Sequence, residues 1–270
     1  MKTRVLTALA LAIPCLAILA WPGIAPIGLL ASAVALIGAY EAGKLLRFDG
    51  LPRRANPTLV SAVAFILAIS LSGTEIHFVI HDKPVLVAAF AVAATLFGIA
   101  GAYWGEKKPM AAYVAGYWIF SPLLALVAIH QMESTQTWTL RNPILLAMLP
   151  IWAGDIAGIF AGKAFGKHPL APTISPKKTV EGSIANALAA LITGALLGLW
   201  LPQGPAVGAA CGLTAGTLGQ TGDLFESFLK RRAGVKDSGA LLPGHGGILD
   251  RIDSLLFAAP AVLLIVAAFH

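Results

Sequence analysis

The chain has 270 residues, 57% of them hydrophobic and only 12% charged, about half the roughly 25% of an average soluble domain. With a mean hydropathy of +0.80, these values exclude a soluble globular enzyme, a disordered chain and a secreted disulfide scaffold, and leave a polytopic membrane protein. The net charge of +6 is explained by positively charged inner loops, so no nucleic acid is expected as a partner.

Nine apolar runs follow one another, at roughly 5–20, 24–42, 58–73, 84–103, 110–130, 143–162, 183–201, 205–221 and 252–269. Each is close to the length that spans a bilayer as a helix, about 20 residues, and a backbone in lipid must satisfy its own hydrogen bonds. The runs are continuous, without the alternation of a membrane β-barrel. The expected fold is therefore all-α: one integral membrane helix bundle over 1–270, with N-terminal helices in 1–140 and the catalytic helices and loops in 141–270. The first run follows Lys2 and Arg4 like a signal peptide, but Ala20-Trp21-Pro22 is a poor cleavage site, and the run is read as a retained helix. Cys15 and Cys211 fall inside apolar runs with no CxxC pair, so neither a disulfide framework nor a zinc site is expected.

With the N-terminus inside, seventeen Lys and Arg residues fall on the inner side, and only Lys83 and Arg141 fall outside. This asymmetry predicts a cytoplasmic N-terminus and an external C-terminus. Small residues four apart, at Gly154, Gly158 and Gly162 and again at Gly204, Gly208, Gly212 and Gly216, predict close helix packing.

Polar residues without a topological task concentrate in three places. Asp155 sits deep in an apolar run, where an acid is costly and marks either a functional site or a lysine-paired packing contact. Asp223, Glu226, Ser227 and Lys230 are spaced i, i+3, i+4 and i+7, one polar stripe if the eighth helix continues through them. The stretch from 235 to 253 contains the turn Pro243-Gly244-His245-Gly246-Gly247, whose amides can bind phosphate, and then Asp250 and Asp253. Those two acids suit capping of the last helix as well as metal binding. Neither a P-loop nor a dinucleotide-binding glycine motif is present. Together, hard carboxylate oxygens suit Mg²⁺ and the cations Lys230, Arg231 and Lys236 suit phosphates. A magnesium-dependent phosphoryl or nucleotidyl transfer at the cytoplasmic membrane surface is the expected chemistry.

The pattern Ser227-x-x-Lys230-Arg231-x4-Lys236-Asp237-x-Gly239-x3-Pro243-Gly244-His245-Gly246-Gly247-x-x-Asp250-Arg251-x-Asp253 closely resembles the signature of the phosphatidate cytidylyltransferases, or CDP-diacylglycerol synthases. Asp155, Gly162-Lys163, Gly166-Lys167 and Ser175-Pro176-Lys177-Lys178-Thr179-x-Glu181-Gly182 are similar to that family too, as is the opening Lys2-Thr3-Arg4-Val5. The resemblance implies transfer of a cytidylyl group from CTP to phosphatidate in the bacterial inner membrane, with Mg²⁺ as cofactor and room for a second cation such as K⁺. It implies metal ligation by Asp223 and Asp250, with Asp253 and Glu226 as ligands or supports, and catalytic parts for Ser227, Lys230, Arg231 and His245. Substrate contacts would come from Lys163, Lys167, Ser175, Lys177, Lys178, Lys236, Asp237, Gly244, Gly246, Gly247 and Arg251, with Asp155 and Glu181 in supporting places. For His245, a backbone or hydrogen-bonding task fits as well as proton transfer. Membrane lipids are the expected surroundings, and a homodimer is left open. A CTP-using lipid kinase or a cytidylyltransferase for another lipid phosphate, and a transporter for an anionic solute, are the rival readings.

Overall fold

The computed structural model describes residues 14–21, 23–46, 83–104, 115–132, 139–241 and 246–269. The expected span at 58–73, and Gly244 and His245 of the signature turn, lie outside these residues. Seven long helices are described: α1 (Ile24–Leu45), α2 (Pro84–Trp104), α3 (Tyr117–Met132), α4 (Leu145–Phe165), α5 (Val180–Trp200), α6 (Gly204–Arg232) and α7 (Leu249–Ala268). Residues 14–20, the end of the first apolar run, are helical as well. Five of the seven, α1, α2, α4, α5 and α7, are long and apolar enough to cross a membrane. The chain is thus an all-α polytopic membrane protein among the described residues, apart from one small hairpin.

Helix burial follows side-chain size. On α1, Ala31, Ala35, Ala39 and Ala42 form a buried stripe, and α2 buries Ala88, Ala91, Thr95, Gly98 and Ala102 while Leu86, Phe90 and Phe97 face outward. Polar groups on the buried faces meet each other, as where the hydroxyls of Thr95 and Ser121 lie 2.5 Å apart between α2 and α3. Nearly all of α3 and most of α7 are buried, as expected of helices apolar on every side in the middle of a bundle. In its packing α7 touches α1, α2, α3, α4 and α6.

The three helices around the candidate site are drawn together by small residues. Gly182, Asn186, Ala190, Gly194 and Gly198 form the buried stripe of α5. A Cβ on Gly158 of α4 would come 3.1 Å from the Gly182 carbonyl, and one on Gly194 would run into the Gly208 carbonyl of α6. The backbones therefore touch, as small residues four apart allow. At 29 residues, α6 is about 44 Å long, well beyond the roughly 30 Å of a bilayer's hydrocarbon. Its polar last third, with Asp223, Glu226 and Lys230, continues the helix past the apolar part.

A difference from the all-helical expectation lies between α4 and α5. There the chain forms an antiparallel hairpin of β1 (Pro169–Ala171) and β2 (Ser175–Thr179), with Pro169 opposite Thr179 and Ala171 opposite Ser175. Its strands are short and rich in Pro and Lys, so the sequence reads as a loop. Thr179 ends β2 and caps α5, its hydroxyl accepting from Gly182 N at 3.1 Å.

Candidate active site

A polar network begins inside the bundle. Asn186 Nδ2 on α5 donates to Asp155 Oδ1 on α4 at 3.1 Å, and Asn186 Oδ1 accepts from Gln220 Nε2 on α6 at 3.2 Å. Ser183 Oγ donates to Gln220 Oε1 at 2.5 Å. One carboxylate, two carboxamides and a hydroxyl thus satisfy one another at the crossing of three helices, which answers the cost of placing Asp155 in an apolar run. These residues line a cavity of about 600 Å³ together with Lys163, Lys177, Lys178 and Asp223. These polar and basic side chains share the lining with the apolar Ile159 and Leu170.

The hairpin brings its lysines to this cavity. Lys178 Nζ donates to Asp223 Oδ2 at 2.6 Å, and Ser227 Oγ, one turn along α6, donates to Asp223 Oδ1 at 3.4 Å. Two contacts anchor the hairpin. Glu181, in the first turn of α5, accepts from Lys167 N at 3.1 Å, His168 N at 3.3 Å and His168 Nδ1 at 2.6 Å. Arg231 Nε donates to the Ile174 carbonyl at the hairpin tip, and its Nη1 to the Val235 carbonyl, each at 3.3 Å.

A second charged cluster joins α6 to α7. Lys230 Nζ donates to Glu226 Oε2 at 2.9 Å and to Asp250 Oδ1 at 2.6 Å. Asp250 Oδ2 accepts from Gly247 N at 2.8 Å, Ser238 Oγ at 2.9 Å and Ser238 N at 3.0 Å. Gly246 is left-handed at φ +80°, and a Cβ there would come 2.6 Å from Asp250 Oδ2, so the turn requires glycine. Glu226 is fully buried. Burial, and then the neighbouring Asp253 carboxylate, push its carboxyl well above the usual carboxylate range. Among the described residues its Oε1 meets no hydrogen-bond partner.

The structure thus unites nine of the expected residues in two adjoining groups. Asp155, Lys163, Lys177, Lys178 and Asp223 belong to the cavity, and Glu226, Lys230, Asp250 and Asp253 to the cluster beside it. The polar stripe on α6 is real, because the helix continues unbroken through it. Lys230 is placed between two acids and Arg231 on backbone carbonyls, so neither lines the cavity. Ser175 sits in β2, and Lys167, Lys236, Asp237 and Arg251 are exposed around the polar ends of the helices. The four acids expected to bind metal are partly matched to lysines, and among the described residues no three His, Cys, Asp or Glu side chains form a group able to hold a metal ion.

Sequence reasoning missed Ser183, Asn186 and Gln220, which are polar residues inside the apolar runs 183–201 and 205–221. It also missed Glu41, buried near the end of α1. The signal was available, because each is a hydrogen-bonding side chain within an apolar run.

The chain is 35% identical over 262 residues to a phosphatidate cytidylyltransferase of Synechocystis sp., covering 86% of each chain. It is 34% identical over 265 residues to the phosphatidate cytidylyltransferase of Staphylococcus aureus strain COL, covering 96% of each. A protein of the same name from Aquifex aeolicus is 36% identical over 175 residues, covering 64% of this chain and 65% of that one. The sequence model of the cytidylyltransferase family matches residues 2–269, nearly the whole molecule with both charged groups, and the chain belongs to that family.

Proposed function

We infer that this protein transfers the cytidylyl group of CTP to phosphatidate, giving CDP-diacylglycerol and pyrophosphate in phospholipid biosynthesis. The observation that carries the reading is the cavity where Lys178 meets Asp223, lined by lysines and a polar network together with the apolar Ile159 and Leu170, in a chain of the cytidylyltransferase family. Phosphatidate joins an anionic head to acyl chains, which suits a lining of lysines beside apolar residues, and CTP brings a second anion to it.

The chemistry matches these residues. The attacking oxygen belongs to a phosphate monoester whose second pKa is about 6, so it is ionised near neutral pH without a strong base. It forms a bond to the α-phosphorus of CTP as the bond to the β-phosphate oxygen breaks, and the electron pair leaves with pyrophosphate. Bringing two polyanions together is the main barrier, and preorganised cations lower it. Lys163, Lys177 and Lys178 are the cationic groups of the cavity, and Asp223 fixes the Lys178 ammonium.

Mg²⁺ is the proposed cofactor, with room for a second cation such as K⁺. Asp223, Glu226, Asp250 and Asp253 offer hard oxygens of the kind Mg²⁺ takes, and the buried Glu226 Oε1 beside Asp253 lacks a hydrogen-bond partner among the described residues, but lysines are held against three of these acids and no group of three closes around an ion among the described residues. When bound, the ion would neutralise triphosphate charge. In the proposed topology nine spans place the charged ends of α4, α6 and the hairpin in the cytoplasm of a bacterial inner membrane, where CTP is available. The homodimer stays an open part of this proposal.

The test uses purified protein in detergent with CTP labelled in the cytidine. Label should enter the lipid extract only when phosphatidate and Mg²⁺ are both present. Extractable label without phosphatidate, or none with both, would reject the reading.

A further inference from the structure

Glu41 has no part in the transfer site as described. It lies near the C-terminal end of α1 and is 3% exposed. A carboxylate so buried needs donors, and among the described residues the donors it meets belong to the segment leading into α7 and its first turn. Its Oε2 accepts from Leu249 N at 2.8 Å and from Ser238 Oγ at 3.2 Å, and its Oε1 accepts from Ile248 N at 3.2 Å. The same Ser238 hydroxyl lies 2.9 Å from Asp250 Oδ2. A serine hydroxyl has one proton, so it stands as a shared donor between two carboxylates from opposite ends of the chain.

The backbone around this serine is divided between the two acids. Asp250 holds the amides of Ser238 and Gly247, while Glu41 holds those of Ile248 and Leu249. Nothing larger than glycine fits where Glu41 approaches. A Cβ on Gly239 would collide with its Oε1, and one on Gly247 would lie 2.5 Å from its Oε2. Two glycines of the signature thus lie against an acid far earlier in the chain, Gly239 against Glu41 itself and Gly247 against both Ser238 Oγ and Glu41.

We propose that Glu41 is a positioning residue for cytidylyl transfer: from α1 it fixes Ser238 and the first turn of α7, and through them the Asp250 carboxylate against Lys230. The proposal rests on Asp250 belonging to the transfer site. A simple cap on α7 would also accept these amides, but it would add stability without setting the rate of the folded enzyme.

Four variants, each purified in detergent, separate the two. Glu41→Gln keeps the shape and turns one acceptor into a donor that faces other donors. We expect kcat to fall about 10- to 100-fold, with KM for CTP within about 3-fold. Hydrogen exchange should quicken at the amides of Gly247, Ile248 and Leu249 and stay unchanged in α4. Ser238→Ala breaks only the bridge between the acids and should lower kcat in the same direction by less. Thr95→Val removes the buried hydroxyl contact between α2 and α3, and should lower Tm with wild-type kcat. Asp250→Asn should be nearly inactive. A folded Glu41→Gln protein with wild-type kcat and exchange would overturn the proposal. If Glu41→Gln does not fold, wild-type kcat in Ser238→Ala overturns it. Full activity in Asp250→Asn would remove the reading beneath it, whereas an inactive Asp250→Asn with a fully active Glu41→Gln rejects the positioning role alone.

Discussion

Lys178–Asp223 and Lys230–Asp250 are ion pairs of the same length, 2.6 Å, with different energetic weight. In the first, the side chains are 27% and 36% exposed, so the pair contributes at most about 1 kcal/mol to stability. Fixing two flexible side chains at the wall of a cavity for so little gain makes sense if the geometry serves a ligand. Asp223→Asn should therefore lower turnover at least about 10²-fold, while Tm in detergent changes by no more than about 2 °C. Normal turnover in this variant would remove Asp223 from the chemistry. Lys230, by contrast, is 12% exposed between Glu226 at 0% and Asp250 at 6%. Removing the cation from buried acids costs about 3–5 kcal/mol. Lys230→Met should show a large drop in Tm, accompanied by lost activity, and an unchanged Tm would show that the cluster does not depend on its lysine.

Among the elements, α5 and α6 matter most, because β2 runs directly into α5 and so couples Lys178 to the helix that carries Asn186, while α6 carries Asp223 and Gln220. Their separation is set by glycine backbones in contact. Gly194→Val would drive side-chain atoms into the Gly208 carbonyl and Gly212 Cα, an overpacking that costs about 1–3 kcal/mol, and would part Lys178 from Asp223. Lower Tm together with lower kcat is expected, whereas Ala210→Val on the exposed side of α6 should keep both, and equal behaviour of the two would discount the close crossing. The i, i+4 glycines and the i, i+3, i+4, i+7 polar stripe were readable in advance because a helix fixes those spacings locally. The β hairpin was not, since short strands with Pro176, Lys177 and Lys178 carry no apolar alternation. Neither were the partners across helices: Asp223 meets a lysine 45 residues away and Glu41 an amide 208 residues away, separations that only the packed bundle decides.

In the whole molecule, the charged groups gather at one end of the bundle, formed by the C-terminal ends of α4 and α6, the hairpin and the N-terminal turn of α7. The basic residues counted as cytoplasmic from the sequence, Lys163, Lys177, Lys178, Lys230, Arg231, Lys236 and Arg251, belong to this end, and the proposed topology places it in the cytoplasm by the positive-inside rule. From there α7 runs for 20 residues, about 30 Å, which is the thickness of the hydrocarbon. In the proposed topology its C-terminal end would reach the opposite face whatever the number of helices before it. A reporter fused after His270 should be active if it works only outside the cytoplasm, and a reporter that works only inside should be silent there. The reverse pattern would contradict the assignment of the charged end. The N-terminus depends in addition on parity: nine spans return it to the cytoplasm, eight would not. A tag before Lys2 should therefore resist a membrane-impermeant reagent in intact cells, and its labelling there, with the C-terminal reporter still outside, would reject the count of nine while leaving the cytoplasmic site in place.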